Sequence, residues 1–163
     1  MVENPGNIGD YFLNITNHYA LNLAHKYNSM VTLSFENDFD ELKNIMKNYP
    51  TSNTGLLVYG KIELMMMKAC LLKNTFKAKN CHICKDNKTY KLLDRNKEEY
   101  EILTSPQTHT SYILNCHTTN LIDKIPNYQE LGITNFRVDL SSETAEETVN
   151  IIEQIMSKFN INN

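Results

Sequence analysis

The chain has 163 residues, 41% of them hydrophobic and 21% charged, with 5 glycines, 4 prolines and a formal net charge of -3. That length and apolar content suit one ordinary domain, 1–163, whose core needs no disulfide staples, and they exclude wholesale disorder. The balance of 16 Lys and Arg against 19 Asp and Glu leaves no global positive charge for a polyanion, and no stretch reaches the roughly 18–20 apolar residues of a membrane span. The N-terminus, Met1 to Gly6, also lacks the cationic and apolar regions of a signal peptide, so a cytoplasmic protein with no membrane span is expected.

The N-terminal third alternates short apolar runs with amphipathic ones. Tyr11-Phe12-Leu13-Asn14-Ile15 reads as a strand, His18 to Tyr27 as a helix, and Met30-Val31-Thr32-Leu33-Ser34 as a second strand. Asn37-Asp38-Phe39-Asp40-Glu41-Leu42 then opens a helix with an acidic first turn, carrying Phe39, Leu42, Ile45 and Met46 on one face until Pro50 stops it. Leu56-Leu57-Val58-Tyr59, closed by Gly60, is a third buried strand.

After Gly60 the alternation breaks. Leu64-Met65-Met66-Met67 is expected to be core or the wall of a metal site. The stretch 68–120 is Lys-rich, shows strand-like runs at Tyr90 to Leu93 and Tyr100 to Leu103, and carries all four cysteines; it reads as an insertion. Cys81-His82-Ile83-Cys84 is a CxxC, a spacing that lets two thiolates on one tight turn face the same ion, and it sits among Lys77, Lys79, Lys85 and Lys88. Cys70 lies 11 positions before Cys81 and Cys116 lies 32 after Cys84, which is not the double-CxxC pattern of a zinc ribbon. Without an export signal these residues are thiols or metal ligands rather than disulfides. Four thiolates suit either Zn(II) or a four-iron, four-sulfur cluster, and the alternative is an exposed CxxC with Cys70 and Cys116 as small buried residues.

The regular pattern resumes with a helix near Asn120 to Ile125, a short one to Leu131 stopped by Gly132, and the strand Thr134 to Leu140. A last helix follows, with Ser141 and Ser142 as candidate caps and Val149, Ile152, Ile155, Met156 and Phe159 as its core stripe. Alternating strands and helices imply parallel pairing with right-handed crossovers. The fold class is therefore α/β: about four β-α units of a partial (β/α)8, TIM-like barrel, with the cysteine-bearing insertion before its last strand. Half a barrel leaves strand edges and an inner face to be covered by a missing portion, a partner subunit or a second copy.

Six strings in order resemble the collagenase-like peptidase family U32 of bacteria, which includes factors for RNA-base and quinone hydroxylation. These are Leu13 to Asn22, Val31 to Glu36, Leu57 to Met65, the cysteine block from Lys68 through Cys84 with Leu92-Leu93-Asp94-Arg95, Ile113 to Cys116, and Gly132 to Leu140. The resemblance implies that 1–163 is the C-terminal half of the family's barrel, lacking the N-terminal half, which is then the natural partner. It further implies that Cys70, Cys81, Cys84 and Cys116 hold the cluster (alternatively Zn) and that strand-end residues Asn14, Glu36 and Asp139 line a cofactor or substrate pocket. The activity implied is cluster-dependent hydroxylation of an RNA base or a quinone. Lys73, Lys77, Lys79, Lys85, Lys88 and Lys91 could then meet RNA phosphate. The family's peptidase name implies hydrolysis instead, for which Glu36 and Asp139 are the candidate carboxylate pair, since neither a Gly-x-Ser-x-Gly elbow nor an HExxH occurs. A third reading is a non-catalytic half-barrel that binds zinc or docks a partner.

Overall fold

A computed structural model describes residues 6–51, 53–77, 83–85 and 89–159. In chain order the strands are β1 (Ile8–Gly9), β2 (Met30–Thr32), β3 (Thr54–Gly60), β4 (Glu63–Met67), β5 (Tyr90–Leu93), β6 (Glu99–Thr104), β7 (Ser111–Leu114), β8 (Thr119–Asn120) and β9 (Asn135–Val138). The helices are α1 (His18–His25), α2 (Phe39–Asn48), α3 (Leu71–Thr75), α4 (Ile125–Glu130) and α5 (Ala145–Lys158). Two compact units result, Met1–Gly60 with Asn120–Asn163, and Lys61–Thr119.

The first unit is built on a parallel sheet. β1 pairs with β2, β2 with β3, and β3 with β9, in registers Ile8↔Met30, Val31↔Thr54 and Gly55↔Asn135. β8 joins the same sheet beside β3. β3 is central because Leu56, Leu57 and Val58 leave almost no surface to water, the continuous burial expected of a parallel strand between neighbours. Against the sheet pack Leu21 of α1, Leu42 and Ile45 of α2, Ile125 of α4, and Ile151 and Ile155 of α5, forming one core with Val31, Leu33 and Val58.

Helix starts follow from local chemistry. Asp38 and Glu41 exchange hydrogen bonds of 2.8 Å with each other's backbone N–H, a capping box that starts α2. Gly132, at φ 89°, ends α4 in the left-handed region, where the N–H groups of Gly132 and Ile133 donate to Gln129 and Tyr128. The last helix starts later than the sequence suggests: Thr144, not Ser141 or Ser142, caps α5 and forms a second capping box with Glu147. Thr144→Ala should therefore lower stability by about 1 kcal/mol, read as a shift of the urea midpoint at constant m-value.

Three local expectations are corrected. Tyr11 to Ile15 is not a strand: Asp10 caps a 3-10 turn over Tyr11–Leu13, and Asn14 ends it at φ 49°. On α5 the core side is Ile151 and Ile155, while Val149, Ile152 and Met156 are exposed. Leu64, Met65 and Met66 are exposed on β4 rather than buried in a core. Among the described residues the fold is mixed α/β with one parallel and one antiparallel sheet, and neither closes into a barrel. Among the described residues, no helix is long and apolar enough to cross a membrane.

The second unit is an antiparallel sheet in the order β4-β7-β6-β5. Its register sets Tyr90 opposite Ile102, Ile102 opposite Ile113, and Met66 opposite Tyr112. The β5–β6 turn is fixed by Asp94, whose Oδ1 accepts the N–H groups of Asn96 at 2.7 Å and Glu98 at 2.9 Å. The buried Ser111 hydroxyl donates to the Ala69 carbonyl at 2.9 Å and accepts the Leu71 N–H at 3.0 Å, so β7 grips the chain on both sides of Cys70.

Candidate functional site

Cys70 is the N-cap of α3. Its backbone is extended and its Sγ accepts the Lys73 N–H at 3.4 Å, as a capping hydroxyl would. With Lys68, Ala69, Lys73, Asn74 and His109 it lines a cavity of about 290 Å³. Cys84 is half-buried in the 3-10 turn Ile83–Lys85. Cys81, its CxxC partner, lies outside the described residues, as do His82, Lys79 and Lys88.

Cys116 stands in the turn after β7. Its thiol donates to Glu98 Oε2 at 2.8 Å, and the Glu98 carboxylate on the thiol, aided by partial desolvation, raises its pKa. The Tyr100 hydroxyl also bonds Cys116, and its own pKa is raised chiefly by that contact. His117 Nε2 lies 3.6 Å from the same Glu98 oxygen. Among the described residues, the group of three metal-ligand side chains that converges is Glu98, Cys116 and His117; neither Cys70 nor Cys84 is part of it.

The strand-end candidates occupy the first unit and are separately engaged. Asn14 holds its left-handed conformation while its Oδ1 accepts the Ser34 hydroxyl at 2.7 Å. Ser34 is buried, and its oxygen in turn accepts the Glu36 N–H at 3.3 Å, leaving the Glu36 carboxylate in an exposed turn. Asp139 follows β9, its N–H donating to the Tyr59 carbonyl at 2.9 Å, its carboxylate accepting the N–H and hydroxyl of Ser141. No hydrogen bond or ion pair among the described residues joins Glu36 to Asp139, so each is held by its own turn.

A constellation that sequence reading did not single out lies on the same unit. Arg137 of β9 ion-pairs with Asp10 and stacks its guanidinium 4.9 Å from the centre of the Tyr11 ring, which meets Phe35 edge-on at 5.6 Å. Ile8, Met30, Thr32, Asn135 and Arg137 line a cavity of about 590 Å³ on this sheet face. The available signal was an arginine set between Phe136 and Val138 in a predicted strand. Nearby on β3, the Tyr59 hydroxyl donates to Glu143 at 3.2 Å; desolvation first, then the Glu143 charge, raises its pKa.

No curated protein and no solved structure matches the chain. The family model described as Peptidase family U32 matches residues 11–160, a stretch containing the parallel sheet from β2 onward and the whole antiparallel unit. The chain therefore belongs to peptidase family U32.

Proposed function

We propose that this U32 protein is the C-terminal half of a (β/α)8-type barrel and carries an iron–sulfur cluster serving hydroxylation of an RNA base or a quinone. What supports the barrel reading is the run of parallel pairs β1-β2-β3-β9 with helices packed against it. A preceding barrel half, a partner subunit or a second copy would complete it.

The observation that carries the cluster reading is the chemistry of the donor set. Cys70, Cys84 and Cys116 are free thiols, and Cys70 Sγ already accepts a backbone N–H, the kind of hydrogen bond that stabilises a ligating thiolate. With Cys81 they supply four thiolates; Cys116 fits less readily, because ligation requires it to give up its proton and its bond to Glu98. Such a cluster, when bound, supplies one-electron chemistry. The chain's own residues would do the rest: Asn14 and Ser34 fix the loop beside β2, Glu36 offers a carboxylate to a substrate proton, and Arg137 holds Asp10 and the Tyr11 ring in place.

Protein purified without oxygen should be brown, absorb broadly near about 400 nm and contain about four irons per chain. Cys81→Ser or Cys84→Ser should abolish both the colour and the iron. Colourless protein with no iron overturns the cluster. Cleavage of denatured collagen that survives both substitutions would move the function to hydrolysis.

A further inference from the structure

Glu98, Cys116 and His117 arrive at one point from two separate turns, and the geometry points to a mononuclear zinc-type site there, with three protein ligands and an open fourth position. The three candidate ligand atoms, a carboxylate oxygen, a thiol sulfur and an imidazole nitrogen, all lie within 4.8 Å of one another. Tetrahedral Zn(II) bound at roughly 2.0–2.3 Å needs its ligand atoms about 3.3–3.8 Å apart, so the group closes on an ion by side-chain movement alone. One oxygen, one nitrogen and one sulfur donor suit Zn(II) or Co(II) better than Mg(II) or Ca(II), which take oxygen ligands.

The backbone already presents these side chains together. Asp94 Oδ1 fixes the N–H of Glu98 at the end of its hairpin turn. Asn115 Oδ1 accepts the His117 N–H at 3.3 Å, which fixes the turn that carries Cys116 and His117. The β6–β7 pairing, Ile102 opposite Ile113, carries the Glu98 end and the Cys116 end to the same edge of the sheet. Tyr100, bonded to Cys116, supplies an outer hydroxyl beside the sulfur. The His117 side chain is 78% exposed, which leaves the fourth position open to water or to a ligand from solution. On binding, the S–Zn bond replaces the S–H bond and the thiol proton leaves to solvent.

The site stands on these residues alone; only one consequence rests on the cluster reading. Cys116 cannot serve both, so with zinc here the cluster keeps Cys70, Cys81 and Cys84 and takes its fourth ligand from outside the cysteine set.

The test uses the full chain with Cys70, Cys81 and Cys84 changed to Ser, freed of metal and titrated with Co(II) under anaerobic conditions, then with Zn(II). The expected result is one Co(II) per chain with a thiolate-to-cobalt charge-transfer band that Zn(II) abolishes. His117→Ala or Glu98→Gln in that background should weaken binding by about 100-fold or more, since even outer-shell losses cost 10–100-fold. Absence of the band, or binding indifferent to both substitutions, overturns the site. Should the triple variant fail to fold, His117→Ala in the otherwise unchanged chain must lower zinc content by one per chain, and unchanged content overturns the proposal. Iron content of the unsubstituted chain, measured separately, reports on the cluster, so either can fail without the other.

Discussion

Gly60→Ala should destabilise the first unit by about 3 kcal/mol. Gly60 ends β3 at φ 136°, a conformation that a side chain at this position strains by roughly 1–3 kcal/mol. A Cβ there would also lie 2.7 Å from both the Cβ and the backbone oxygen of Asp139. Backbone cannot swing aside as a flexible side chain can, so β9 must shift, weakening the 2.9 Å bond from Asp139 N–H to the Tyr59 carbonyl, worth about 0.5–1.5 kcal/mol. Thermal melting should fall by about 6–12 °C for a chain of this size. Gly132→Ala is the control. Gly132 also has positive φ, at 89°, but its nearest neighbour to a new Cβ is the flexible end of Met46 at 3.7 Å, so only the conformational cost applies. Equal losses at the two glycines would mean that the approach of β9 to Gly60 contributes nothing.

Ile125→Ala should cost about 2–5 kcal/mol. Ile125 is fully buried at the start of α4, in the cluster that joins α2, β3 and α5. Removing its outer carbons leaves a cavity that neighbours on several elements cannot all collapse to fill, so the loss exceeds the transfer term alone. Ile125→Val should cost only about 0.5–1.5 kcal/mol. Urea unfolding monitored by circular dichroism orders the three proteins; a loss below about 1 kcal/mol for the alanine variant would place Ile125 outside the cooperative core.

How much of this was legible in the chain depends on the range of the cause. The parallel αβ pattern was, because Leu56 to Val58 and the α2 face of Leu42, Ile45 and Met46 write their burial into local periodicity. α5 was found with its stripe half right: Ile155 and Phe159 pack on the core, whereas Val149, Ile152 and Met156 do not and Ile151 was not singled out. It carries two apolar flanks, Ile151 with Ile155 and Val149 with Ile152 and Met156, and nothing local says which one the sheet selects. The turn at Tyr11 was missed because a run of Tyr, Phe, Leu and Ile looks like a strand unless the Asp10 cap and the left-handed Asn14 are weighed more heavily than the apolar content. β4 was missed because its run of Leu and Met lacks the alternation that marks a strand with one wet face.

The site was harder to read. The cysteines announce themselves by type, yet the neighbours of Cys116 do not. Glu98 is 18 residues away, and only the pairing of β6 with β7 brings it to the sulfur. Arg137 and Asp10 are farther apart still, joined by the order of strands in the sheet rather than by any spacing in the chain. Those contacts depend on register and topology, which a single sequence does not encode locally.

The first unit is interrupted by the second, and this has a consequence for the nascent chain. β3 leaves the ribosome long before β9, because Gly55 must wait for Asn135, 80 residues later, to gain its partner on that side. At about 5–20 residues per second that interval is roughly 4–16 s, far longer than a hairpin such as β5–β6 needs to form. The antiparallel unit can thus assemble during synthesis while β3, whose Leu56, Leu57 and Val58 end up buried, still waits for β9. Translation speed through the region between them, rather than the stability of the finished protein, then sets how long that strand is open to chaperones and to other growing chains.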